Sequence, residues 1–410
     1  MTVDKLKPPS KNSYLMNKEK FRTILDAAVQ KGITEIPSSF EHRQLYPGHR
    51  QLETEPQIED DLKQFLRADT AISSVFDDKM FYTGNGGTTV PLSHLIQWLL
   101  KRVNEHDSKV AADNLERYLS TWEVPGQDVL VISGISLFTP VDLGNGLKLL
   151  PFDHLVNSFR KAWVEGMAMG RSGLGMPILE KAVLTCPNKM MRKQQGRPDF
   201  TPKFLELEQA RQWLTLIGPS CPLQLAYWWE PEEWVPLAGM TGSISGHIHD
   251  VMHGPGRIFD ETDMEKAKTI FRIISDIDDG LKTRLSIPLN RLNQSIRRMQ
   301  SVDSAIELGI ALEALFFDDG TKSSELSFKL RLRGAWLLGA THEQRKEVMA
   351  TLDELYDCRS AAIHSGKLDG IKTHKPKDEL LKEGYCLVAQ AIESILRKGR
   401  FPDWNDLVLG

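Results

Sequence analysis

Glu313, Arg359 and His364 are the residues whose types and spacing best suit joint chemistry. Glu313 interrupts a run that is apolar almost all round: Ile306, Leu308, Ile310, Leu312, Leu315, Phe316 and Phe317. A helix of that composition is expected to be central and buried, and a carboxylate inside it needs a cation or hydrogen-bond donors. Arg359 supplies a cation by the same logic, because it continues the apolar stripe Val348, Leu352, Leu355 and Ala362 of a later helix. Two helices thus each place one charge, of opposite sign, on an apolar face. The spacing predicts that Glu313 and Arg359 meet; alternatively, the pair only fixes packing. His364 lies five residues past Arg359, about 140° further round a regular helix. It falls instead with Asp353, Asp357 and Ser360 on the polar stripe, just before the helix stop at Ser365-Gly366. A helix C-terminus favours the imidazolium form. An arginine that holds a phosphate beside an imidazole that moves a proton suits phosphodiester cleavage, and that chemistry requires no metal.

As a bare pattern Arg-x4-His is unspecific. Three segments in order narrow it. They are Ile310-Ala311-Leu312-Glu313-Ala314-Leu315-Phe316, the stretch Leu326–Leu338 with Lys329, Arg331 and Arg333, and Leu355-Tyr356-Asp357-Cys358-Arg359-Ser360 through Ile363-His364-Ser365-Gly366. Together they resemble the HEPN superfamily, and within it the ApeA-like domains of prokaryotic anti-phage defence proteins. The resemblance covers roughly residues 290–400. It implies a helical bundle that pairs as a homodimer, with the Arg-x4-His ends of two protomers facing one cleft. Active members are metal-independent endoribonucleases, often toxins in abortive infection. The family's catalytic Arg and His correspond to Arg359 and His364, its acidic residue to Glu313, and the polar residue beside its Arg to Ser360. The implied partners are RNA (tRNA among the targets), a second copy of the chain, and a phage-derived trigger or regulatory partner; no cofactor is implied. The rival expectation is a non-catalytic dimerisation or nucleotide- or RNA-binding module in a defence or toxin–antitoxin complex.

Weaker signals lie elsewhere. His247, His249 and His253 could hold zinc if extended, but no cysteine or HExxH accompanies them, so no metal is expected. Lys189, Arg192, Lys193 and Arg197 make residues 186–203 a basic stretch that could follow a phosphate backbone or simply be a solvated loop. Tyr227-Trp228-Trp229 could stack bases, although consecutive aromatics in an apolar strand more often form core.

The elements that position these residues divide into two regions. Residues 1–289 read as an α+β sensing or regulatory region, of one or two subdomains, and residues 290–410 as an all-α HEPN-like bundle. In the first, helices are expected at 17–31, 57–76 and 92–104. Strands are expected at Val129–Phe138, Leu147–Phe152, 178–185 and Leu223–Trp229, the first two forming a hairpin or meander across Gly144-Asn145-Gly146. A long helix is expected over Thr262–Leu285, ended by Pro288. In the second region helices are expected at 291–299, 302–317, 323–339, 343–364 and 377–398.

The 410 residues carry 51 Lys plus Arg against 55 Asp plus Glu, so nucleic-acid or membrane binding would need a local patch rather than global charge. Four cysteines with no CxxC pair make no disulfide framework. Polar residues at Met1–Asn12 and the lack of any long apolar run point to a cytoplasmic protein outside the membrane.

Overall fold

Alternating apolar residues that are buried on both sides build the central sheet. The computed structural model describes residues 17–37, 50–73, 75–76, 80–83, 86–89, 92–121, 123–156, 158–170, 180–191, 203–236, 245–246, 256–317 and 326–409. Six strands are all antiparallel: β1 Glu123–Ser133, β2 Val141–Gly144, β3 Leu147–Pro151, β4 Lys181–Met191, β5 Leu223–Pro231 and β6 Ser245–Gly246, in the order β6-β5-β1-β4-β3-β2. On β1, Val129 and Val131 face one core with Val183, Trp228 and Phe152, whereas Leu130 and Ile132 face another with Leu184 and Tyr227. This period-two division makes the sheet the wall between two apolar layers. The hairpin across Gly144-Asn145-Gly146 joins β2 to β3, not β1 to β3; β1 pairs with β4 and β5. Its tightness rests on positive φ at all three turn residues, 91°, 53° and 80°.

Four helices, α1 Lys18–Lys31, α2 Pro56–Ala68, α3 Leu92–Glu105 and α4 Ser108–Ser120, bury a separate core. Val124, Met190 and Trp229 at one end of the sheet close that core. The expected helix over 57–76 stops at Ala68, followed by the short turn Thr70–Ser73. Helices α4, α5 Phe159–Gly170 and α6 Phe204–Trp213 were not apparent in the sequence pattern.

Seven further helices follow: α7 Glu261–Asp276, α8 Asp279–Arg297, α9 Ser301–Phe316, α10 Leu326–Leu338, α11 His342–Ser365, α12 Lys377–Lys398 and α13 Trp404–Leu409. The expected long helix over Thr262–Leu285 is two helices, because Ile277 is extended and Asp278 caps α8 by accepting from the Leu281 N–H at 2.9 Å. Pro288 lies inside α8 rather than after it. An interior proline forfeits a backbone hydrogen bond, but Leu281, Leu285, Leu289 and Leu292 anchor α8 on one buried stripe. Residue 290 therefore falls within a helix. The apolar core is continuous across it, from Leu130 and Tyr227 of the sheet through α8 to Leu352 and Ile392 of the bundle. No described helix is long and apolar enough to cross a membrane.

Candidate active site

Close packing of α11 against its neighbours places the arginine. Glycines on three adjoining helices receive its inward residues. A Cβ at Gly334 of α10 would lie 2.3 Å from Leu352, one at Gly384 of α12 would lie 2.9 Å from Leu355, and one at Gly309 of α9 would lie 2.2 Å from Arg359 Cγ. Such separations are shorter than real side-chain contacts, so a larger residue would force the leucine ends to shift at Gly334 and Gly384 and, at Gly309, would strike the stem of Arg359 near its backbone. The stem of Arg359 thus crosses α9 at Gly309, and its guanidinium ends one turn further along. There Nη2 meets Glu313 Oε1 at 2.8 Å. The expected pairing of Glu313 with Arg359 is present. The side chains are 26% and 23% exposed, so the pair lies at the bundle surface rather than in its core. The ring of Tyr356 lies 5.8 Å beneath the guanidinium, and Arg359 Nε is buried with no hydrogen-bond partner among the described residues.

His364 is exposed in the last turn of α11, which Gly366 ends in a left-handed conformation at φ 66°. Ser360 is half-buried on the turn between Arg359 and His364. Below it the polar stripe is acidic. Asp353 pairs with Arg331 at 2.6 Å, and Glu354 pairs with His374. Burial, followed by the nearby Asp353, raises the Asp357 carboxyl above its ordinary range. The buried thiol of Cys358 is likewise raised, chiefly by desolvation. The chain therefore offers a guanidinium held on one edge by Glu313 and a solvent-facing imidazole at a helix end.

Both arginines of α10 have structural partners. Arg331 holds Asp353, while Arg333 is buried, donates to the Phe316 carbonyl at the end of α9 and lies 5.3 Å from the Trp404 ring centroid. The buried carboxylate of α9 is Glu307, which the apolar pattern does not single out. It accepts from Arg291 at 2.8 Å and from Arg298 at 2.7 Å. Burial alone would raise its carboxyl, but the two arginines outweigh that and hold it below the ordinary range.

The other sequence signals separate. Lys189 lies on β4 rather than in a loop, and it is exposed and paired with Glu123 at 2.7 Å. Arg192, Lys193 and Arg197 fall outside the described residues, as do His247, His249 and His253. No group of three or more potential metal ligands occurs among the described residues. Tyr227, Trp228 and Trp229 are all buried on β5 and belong to the core. Asp128, buried on β1, accepts from Tyr227 Oη at 2.5 Å and Asn188 Nδ2 at 2.6 Å. Its carboxyl is raised by desolvation, which those hydrogen bonds only partly offset.

Comparison with known proteins adds no relative: no family model, curated protein or solved structure matches the chain.

Proposed function

We propose that the chain is a metal-independent endoribonuclease of HEPN type, held under control as a toxin in anti-phage defence. The observation that carries this reading is the α11 arrangement: Arg359 fixed by Glu313 at 2.8 Å at the bundle surface, with an exposed His364 ending the same helix. A structural ion pair has no need of the second feature.

In this reading the ribose 2′-hydroxyl attacks the adjacent phosphorus, and the 5′-oxygen leaves. His364 moves the proton, Arg359 holds the phosphate and offsets the charge that develops on it, and Glu313 orients Arg359. The products end in a 2′,3′-cyclic phosphate and a 5′-hydroxyl. A single protomer brings Arg359, already half engaged by Glu313, near an acidic stripe of Asp353 and Asp357 whose own guanidinium, Arg331, is taken up by Asp353. A phosphate therefore needs the matching end of α11 from a second protomer, so the active form is a homodimer through the bundle.

The test is RNA cleavage by wild type, Arg359→Ala and His364→Ala, with end sequencing of the products and light scattering of the intact protein. Cyclic-phosphate ends from a dimer, lost in both variants, are expected. Unaltered cleavage by folded His364→Ala refutes the assignment, and a strict monomer at micromolar concentration refutes the composite cleft.

A further inference from the structure

Away from the α11 site, a cleft of about 510 Å³ opens where α6 and β5 of the sheet region meet α8. That volume suits a ligand of nucleotide size. Its wall carries three guanidinium groups, Arg211, Arg297 and Arg298, and one carboxylate, Glu208, with Asn293, Gln294 and the ring of Phe204.

The three arginines are not equivalent. Arg211 is held by Glu208 at 2.6 Å and donates to the Pro222 carbonyl at 2.6 Å. Arg298 is held from behind by Glu307 at 2.7 Å, yet its Nε is buried with no hydrogen-bond partner among the described residues. Arg297 makes no ion pair among the described residues; its one hydrogen bond is a long one, from Nε to the Asn293 carbonyl at 3.4 Å. Burial and then the neighbouring Arg211 push its guanidinium down to about 10; Arg298 pushes the same way, and Cys221 and Glu307 oppose without reversing it. A half-buried arginine set among like charges, without a carboxylate of its own, is electrostatically incomplete. An anion in the cleft would complete it, and the planar fork of arginine matches phosphate oxygens.

The rest of the wall suits the body of such a ligand. Asn293 is fixed by donating to Thr215 Oγ1 and the Pro222 carbonyl, both at 3.1 Å. Phe204 is steadied edge-on by Tyr227, with ring centroids 5.0 Å apart. Amides and an aromatic edge beside a cationic floor can take a heterocycle as well as its phosphate.

We propose that this cleft is a binding site for a small phosphate ester of nucleotide size, with its phosphate on Arg297 and Arg298. The assignment stands independently of the ribonuclease reading, since it uses none of Glu313, Arg359 or His364.

Titration calorimetry of the full chain at fixed ionic strength tests it, with AMP, ATP, inorganic phosphate, adenosine and a short single-stranded RNA as probes. Saturable one-to-one binding of AMP or ATP is expected, with adenosine at least tenfold weaker. Arg297→Gln should weaken nucleotide binding at least tenfold, while the charge-matched change Lys109→Gln, at an exposed position of α4, leaves it unaltered. Should Arg297→Gln unfold in a melting control, Arg297→Lys replaces it. That variant keeps a charge but loses the fork, and should still bind several-fold more weakly. The proposal is overturned if none of the phosphate probes saturates at millimolar concentration or if adenosine binds as well as AMP. It is equally overturned if the Arg297 variants bind like wild type, or if only the RNA binds in an Arg297-dependent way.

Discussion

Gly309→Ala probes how α11 is seated, because the added methyl falls 2.2 Å from Arg359 Cγ and 2.9 Å from Arg359 Cβ. Replacing a mid-helix glycine by alanine ordinarily stabilises by about 0.5–1 kcal/mol. Overpacking at a close helix contact costs about 1–3 kcal/mol, and displacing the guanidinium from Glu313 loses part of an ion pair worth about 1 kcal/mol. The sum predicts a net loss of about 1–3 kcal/mol in urea unfolding. The same substitution in an Arg359→Ala background removes the 2.2 Å clash and the ion pair, leaving only the 2.9 Å contact with Cβ. Gly309→Ala should then cost at least about 1 kcal/mol less than in wild type, since contacting residues couple by roughly 0.5–3 kcal/mol. Activity gives a second readout. Moving a positioned group by about 1 Å can cost around 10²-fold in rate, so RNA cleavage by folded Gly309→Ala should fall by that order. Additivity of the two substitutions within about 0.5 kcal/mol would refute the close contact of Arg359 with Gly309.

Other expectations follow from the same geometry. Glu313→Gln should cost about 1–2 kcal/mol in urea unfolding, between the values for surface and buried pairs, because both partners are about one quarter exposed; a loss of 4 kcal/mol would mean the pair is buried. His364→Ala should shift stability by no more than about 1 kcal/mol while lowering RNA cleavage roughly 10²–10⁴-fold, and cleavage should survive EDTA. Glu307 is held below its ordinary 4.5 in the fold, so its contribution is fully present above that value and is lost as pH falls through the folded one. Glu307→Gln should flatten the acid limb of a stability profile measured from pH 6 to pH 3; an unchanged limb would show that Glu307 does not titrate with unfolding.

Periodicity made the bundle largely legible. Helices expected at 302–317, 343–364 and 377–398 are Ser301–Phe316, His342–Ser365 and Lys377–Lys398, and the Glu313–Arg359 pair follows from two opposite charges on two apolar stripes. What escaped had physical causes. Pro288 reads as a helix stop, yet burial of the leucines around it outweighs one missing hydrogen bond. The hairpin partner of Leu147–Pro151 is the short Val141–Gly144, whose four residues give too little alternation to register as a strand. Helix α6 hides among Glu206, Glu208, Gln209 and Arg211, because its inward residues face a sheet that lies on both sides of it in sequence. The anionic preference of the α6–α8 cleft was invisible, since Arg211 lies 86 positions before Arg297 and no local pattern joins them.

The misplaced charge on α9 has the widest consequence. An apolar helix with one conspicuous carboxylate suggested that Glu313 is the buried one, but Glu307 is, and the two do different work. Six residues apart, they lie about 240° apart round the helix and about 9 Å along it. Glu307 grips Arg291 and Arg298 of α8 and its end, whereas Glu313 faces Arg359 of α11. Packing of the buried Leu308, Ala311, Leu312 and Leu315 orients α9 about its own axis, and the two ion pairs of Glu307 add a polar contact to α8 on one side of it. Gly309 then sets how near Arg359 can come. The direction of the Arg359 guanidinium is set by Glu313 and by the contact of its stem with Gly309, while Glu307 borders, through Arg298, the cleft proposed to bind phosphate. One helix thus carries two carboxylates with separate partners, Glu307 toward α8 and Glu313 toward α11, so exchanging Glu307 should leave the Glu313–Arg359 contact in place.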